Sequence, residues 1–178
     1  MKYLLILAVV FGLACDSGKK ENLNSTAQDE ALIKNEVTNF HRTLKRIYNG
    51  APLNSDSLIN YYFDKDMYYV TYWGISEPID TTKRRLQSAI KRIKNYDNQF
   101  DNLSVKVYTE GAYAFFILRQ DYTIDGHLLE EYLPTTWILE PREGRWKVVH
   151  AQRSADLQTT QQLMQIARLR EQEAEQRK

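Results

Sequence analysis

The chain begins with an unbroken apolar run and then turns polar. Tyr3 to Ala14 reads YLLILAVVFGLA behind Met1-Lys2, and polarity starts at Asp16. A bilayer span takes about 20 apolar residues, so this run of twelve predicts the core of a secretory signal instead. Residues 16–26 lack periodicity and predict a flexible tether. Stretched out, eleven residues reach at most about 36–40 Å. Ile33, Val37, Phe40, Leu44 and Ile47/Tyr48 then line one face of a helix. Ser25-x-x-Gln28 predicts its capping box, and Gly50 and Pro52 its end. A second helix is expected over 55–62, capped by Asn54 or Ser55. A strand is expected at Met67–Tyr72, with a turn or short hairpin through Trp73-Gly74 and Glu77-Pro78. A third helix follows, capped by Asp80 or Thr81, with Leu86, Ile90 and Ile93 on its apolar side.

From Asn98 the period changes to two. Leu103-Val105-Val107 alternates with polar residues, and Ala112–Ile124 predicts a long strand. Glu110-Gly111 and Asp125-Gly126 are hairpin signals. The next strand covers 128–140, where Pro134 signals an edge or a bulge. A turn at 141–144 leads into a last strand over 145–154, and Asp156 caps a polar helix reaching about Arg177. Helices followed by antiparallel strands make an α+β layout. The domain is expected at 27–156, with a C-terminal helix over 157–178.

Composition narrows the function. Apolar residues are 43% of the 178, enough for one packed core. The formal charge of +1 gives no overall field for gathering nucleic acid, so no nucleic-acid partner is expected. Losing Lys2 with the signal leaves 23 basic and 23 acidic residues, so membrane attachment would owe nothing to lipid electrostatics. One cysteine and three histidines argue against a metal site, and no cofactor motif appears.

Gly12-Leu13-Ala14-Cys15 resembles the bacterial lipobox, departing at Gly12, where the pattern usually has Leu. The resemblance implies cleavage after residue 14, acylation of Cys15 and a lipid-anchored protein of the cell envelope. The same residues also suit an ordinary small-x-small cleavage site, which would release a secreted protein. The element order and the closing segment GRWKVVHAQRSAD resemble the NTF2-like superfamily, including SnoaL-like and DUF4440-type members. Ile124-Asp125-Gly126, Glu143-Gly144-Arg145-Trp146 and His150 are similar to the calcium/calmodulin-dependent kinase II association domain. The resemblance implies three helices against a strongly curved, mostly antiparallel sheet, a pocket at the wide end of the cone, and a homodimer.

Arg119, among Phe115, Phe116, Ile117 and Leu118, has two readings. It anchors an anionic ligand, as the resemblance implies, or pairs internally with Asp121, Glu131 or another acid. Trp137 is a pocket wall or a core or interface aromatic, and Tyr122 and His150 would stand near Arg119. His150, Gln152 and Ser154 share a strand face, and His150 could serve as acid or base. Asp64 and Asp66 are a further carboxylate pair, with turn duty as the other reading. The basic residues Lys83, Arg84, Arg85, Lys91, Arg92 and Lys94 read as a solvated helix face. The leading expectation is a non-enzymatic binding module for a small anionic, apolar or peptidic ligand. An isomerase- or dehydratase-type enzyme using His150 or Asp64/Asp66, and an oligomerising partner-binding module, are the rivals.

Overall fold

The computed structural model describes residues 23–176. The signal, Cys15 and most of the expected tether lie outside the described residues. The elements are α1 (Leu23–Tyr48), α2 (Ser55–Tyr62), β1 (Phe63–Val70), β2 (Ser76–Pro78), α3 (Ile79–Arg92), β3 (Ile93–Val107), β4 (Ala112–Ile124), β5 (His127–Arg142), β6 (Arg145–Arg153) and α4 (Leu157–Gln176). No Gly or Pro interrupts 23–28, so α1 runs through Ser25 instead of starting there. Asn54 caps α2, its Oδ1 accepting from the Ser57 amide at 2.9 Å. At α3 the expected side-chain cap is absent: Pro78 occupies the cap position and Asp80 sits in the first turn. There its charge suits the helix dipole.

Six strands form one sheet in the order β2-β1-β6-β5-β4-β3, antiparallel except for β1 against β6. Three irregularities bend it. Asn95 and Asn102 adopt positive φ where the β3–β4 register slips. Asn tolerates that region better than other side chains, and each extra residue sharpens the local twist. The Asn95 bulge explains why β3 begins at Ile93, five residues before the alternation becomes visible. Ile93 and Tyr96 are both buried although three positions separate them. Asn49 pins this bend to α1, donating to the Tyr96 carbonyl at 2.8 Å and accepting from its amide at 3.0 Å.

The third irregularity decides the interior. Leu139 pairs with Val148, but Ile138 pairs with His150, so Val149 is an extra residue in β6. Trp146 and Val148 share the inner face before it, and Ala151 and Arg153 share it afterwards. β1 makes a wider excursion at the same level, between the pairs Phe63–Val148 and Tyr68–His150.

α1 and α3 fill the concave side. Phe40, Phe63, Phe100, Phe116 and Trp137 pack in mostly edge-to-face contacts around and beside His41. His41 is 0% exposed, its Nδ1 lying 2.9 Å from the Val37 carbonyl. Pro134 lies where β6 ends. The Ser154 amide donates to its carbonyl on that side, so the missing Pro134 N–H disrupts no ladder bond. The first half of β5 is therefore a true edge, and α4 covers it. Tyr132 N donates to Thr159 Oγ1 at 3.0 Å, and Asp156 caps α4 by accepting from the Thr159 amide at 2.7 Å. Leu163 and Ile166 pack on Ile93, Tyr96, Tyr122 and Leu129, so α4 folds onto its own domain.

Burial, followed by the Arg153 charge, holds the His41 ring neutral down to about pH 3, against an ordinary value of 6.5. Below pH 6.5 the unfolded chain takes a proton there that the folded protein refuses. Stability should fall on acidification through that range, by up to about 1.4 kcal/mol per pH unit from this group. Urea unfolding of wild type and His41→Gln between pH 4 and 7 checks it: the variant's slope against pH should be shallower.

Candidate functional site

The inner face of β5 carries Leu129, Glu131, Leu133, Thr135, Trp137 and Leu139 in strict alternation, all buried. Its neighbour β4 turns Ala112, Ala114, Phe116, Leu118, Gln120 and Tyr122 the same way. Gln120, Tyr122 and Glu131 gather at one end of this face, and Thr135 lies between them and Trp137, paired with Arg153 on β6.

A cavity of about 80 Å³ opens between α1, α3 and the sheet. Phe40, Phe63, Met67, Leu86 and Trp137 form apolar wall, and Tyr48, Tyr69, Thr82, Arg85 and Arg153 supply the polar groups. The two arginines differ. Arg85 donates through Nε and an Nη to Glu77 at 3.0 and 2.8 Å, and its guanidinium lies 5.1 Å from the Tyr69 ring centre. Thr82 donates to the same Glu77 oxygen at 2.9 Å. Arg153 is half-buried, its guanidinium 6.0 Å from the same Tyr69 ring centre, and its shielded Nε has no hydrogen-bond partner among the described residues. A guanidinium keeps its charge in any protein setting. Placed so, Arg153 has one N–H, at Nε, free to donate.

Glu131 is a further buried ionisable group, outside the residues that line this cavity. It is 4% exposed and accepts from Gln120 Nε2, while Tyr96 donates to Gln120 Oε1 at 2.7 Å. The Tyr122 hydroxyl stands against the same carboxyl, yet Oε1 meets no donor at bonding geometry. Burial pushes the Glu131 carboxyl above the ordinary carboxylate range, against the opposing pull of Gln120, Arg153 and Tyr122. The surrounding hydroxyls stay protonated. Burial raises Tyr96 and Tyr72 to about 12, and burial with the Glu131 charge drives Tyr122 higher.

The expected site residues divide between the two faces. Trp137 lines the cavity and is buried. Tyr122 stands beside Glu131 in the neighbouring buried cluster. Arg119 lies on the opposite, outer face, paired with Asp101 and 5.5 Å from the Tyr132 ring centre. It does not line this cavity, but a second, polar one with Gln120, Glu131 and Asp156; Phe115–Leu118 is apolar on both faces, so alternation does not reveal that Gln120 takes the buried face. His150 also faces outward, beside Ile138 and Tyr68, because Val149 shifts the strand's phase. It cannot act on a ligand in the cavity. Asp64 and Asp66 sit on the β1 excursion, where Asp64 Oδ1 accepts from the Asp66 amide at 2.9 Å. That is turn duty, away from the interior.

Arg153, Arg85 and Glu131 are the residues that sequence reading missed as site groups. Glu131 could have been found by its even spacing from Trp137. Arg153 could not, because the bulge hides its phase. Arg85 was hidden inside a run of helix charges that otherwise face solvent or pair locally, as Arg92 does with Asp125.

No family profile and no curated relative matches this sequence. Solved structures do. An NTF2-like protein from Cytophaga hutchinsonii superposes with TM-score 0.60 at 10% identity, over 71% of this chain and 97% of its own. A putative Ca/calmodulin-dependent kinase II association domain from Exiguobacterium sibiricum gives 0.57 at 11%, over 70% and 90%. A ketosteroid isomerase-like protein from Erwinia carotovora atroseptica gives 0.58 at 10%, over 72% and 96%. These likenesses concern the fold, which hosts several unrelated activities. Curled six-stranded sheet, enclosed helices and apolar cavity together establish that the chain has the NTF2-like fold.

Proposed function

We propose that this protein binds a small organic anion in the cavity, with Arg153 as the anchor. The observation carrying this reading is the cation at the cavity wall whose Nε has no partner, opposite the apolar surface of Trp137, Phe63 and Met67. An acceptor on Arg153 gains a charge-assisted bond, and an apolar body gains from leaving water. Butyrate, which joins a short apolar chain to a carboxylate, carries both features and is the probe for this reading. Arg85 is already matched by Glu77 and completes the wall.

The outer sheet face supports the expected homodimer. Tyr113, Ile138, His150 and Tyr68 fall in one row across four strands, with Phe115 beside it. Tyr68 is 56% and Ile138 38% exposed, apolar area that a second copy would cover. In this reading Cys15 carries the lipid anchor, supported by the apolar signal ending at the chain's single cysteine. No described helix is long and apolar enough to cross a membrane.

Butyrate should bind the wild-type protein, and Arg153→Met should weaken it roughly 10- to 100-fold, as expected for losing a charged hydrogen bond of about 1.5–3 kcal/mol. Calorimetric titration checks this; equal affinities would refute the anchor. Ile138→Glu should turn a dimer into a monomer in sedimentation velocity, and a monomeric wild type would refute the interface. In a bacterial host, Cys15→Ser should abolish metabolic labelling with palmitate; unchanged labelling would refute the anchor at Cys15.

A further inference from the structure

We propose that Tyr69 is the positioning residue of the anchor: its ring holds the Arg153 guanidinium in the cavity wall and leaves the Nε edge for the carboxylate of the ligand. This inference rests on the anion-anchor reading of the cavity.

A long arginine side chain loses rotamer freedom when it is fixed in one place. Hydrogen bonds or an ion pair usually offset that loss. The Arg153 guanidinium forms neither with any described residue. The contact it does make is with Tyr69, at 6.0 Å from the ring centre. That distance is within reach of the attraction between a cation and the negative face of an aromatic ring.

Tyr69 is itself well fixed. It is buried, and it lies in register with Glu77 on β2 and with Ala151 on β6. A second guanidinium, that of Arg85, stands over the same ring at 5.1 Å. Arg85 in turn donates through Nε and an Nη to Glu77, and Thr82 donates to the same Glu77 oxygen. α3 is thereby tied to β2 and bears on the ring that Arg153 uses. Tyr69, Arg85 and Arg153 all line the cavity.

Arg85 shows what an arginine on this ring does with its remaining donors. A guanidinium is planar and its N–H groups point outward in that plane, so contact with a ring leaves the edge formed by Nε and an Nη available. At Arg85 the Glu77 carboxylate occupies that edge. At Arg153 the same ring is present, and the Nε has no partner among the described residues. A ligand carboxylate would complete at Arg153 the arrangement that Glu77 completes at Arg85. The edge is a fork of two donors, which a carboxylate matches and a single-centred halide does not.

The test changes the charge distribution of the ring and keeps its shape. Tyr69→Phe retains a negative ring face, whereas a pentafluorinated phenylalanine in place of Tyr69 reverses that quadrupole at nearly the same size. In calorimetric titration, Tyr69→Phe should bind butyrate within about twofold of wild type, and the fluorinated protein roughly 5- to 30-fold more weakly. Without ligand, the heteronuclear NOE of the Arg153 Nε–H should report an ordered side chain in wild type and Tyr69→Phe, and a mobile one in the fluorinated protein. A fluorinated protein that binds butyrate as wild type does, or keeps the Arg153 Nε–H ordered, would overturn the positioning role and leave the anchor reading intact. So would a mobile Arg153 Nε–H in ligand-free wild type. Folded wild-type protein that fails to bind butyrate, or binds it no better than Arg153→Met does, would overturn the anchor reading, and the positioning role with it.

Discussion

One extra residue in the last strand determines what this cone contains. A strand presents side chains to alternate faces, so inserting Val149 reverses the assignment of everything after it. Without the bulge, His150 and Gln152 would face the helices, and Arg153 would face outward. With it, Ala151 leaves room beside Trp137, and Arg153 enters the wall of the cavity. The excursion of β1 at the same level lets Phe63, Met67 and Tyr69 all remain inside. Cavity shape, the charge within it and the apolar outer row all follow from that register.

Much of the fold was legible because its strands and turns obey local rules. Ala112–Ile124 was readable to the residue from its flanking turns, and Asp125-Gly126 and Glu143-Gly144 supply the positive φ angles that tight hairpins demand. Asp156 was readable as a cap, since its carboxylate can satisfy an amide that the helix leaves unpaired. The site was less legible for a physical reason. Period-two reasoning carries a face assignment along a strand only while nothing shifts the phase. At Phe115–Leu118 the run is apolar on both sides, and at Val149 the phase shifts without any Gly or Pro to announce it. Arg119 consequently falls on the outer face and Arg153 on the inner one.

The interior combines a tightly packed aromatic layer with a polar layer that is incompletely matched. His41, 0% exposed among rings, is neutral because burial and the Arg153 charge outweigh the Val37 carbonyl that would favour its proton. Arg153 on the last strand must remain charged. Natural interiors satisfy nearly all their buried polar atoms. An Arg153 Nε without a partner among the described residues is therefore informative, and the proposed anion would satisfy it.

The central claim is that Arg153, and not Arg119, meets the ligand. Arginine side-chain N–H signals of the isotope-labelled protein, followed by two-dimensional NMR during a butyrate titration, test it most directly. The account requires the Arg153 Nε–H signal to move and its exchange with water to slow, while the Arg119 signal stays in place. A stationary Arg153 signal alongside a shifting Arg119 signal would contradict it, and would place recognition on the outer face of the sheet.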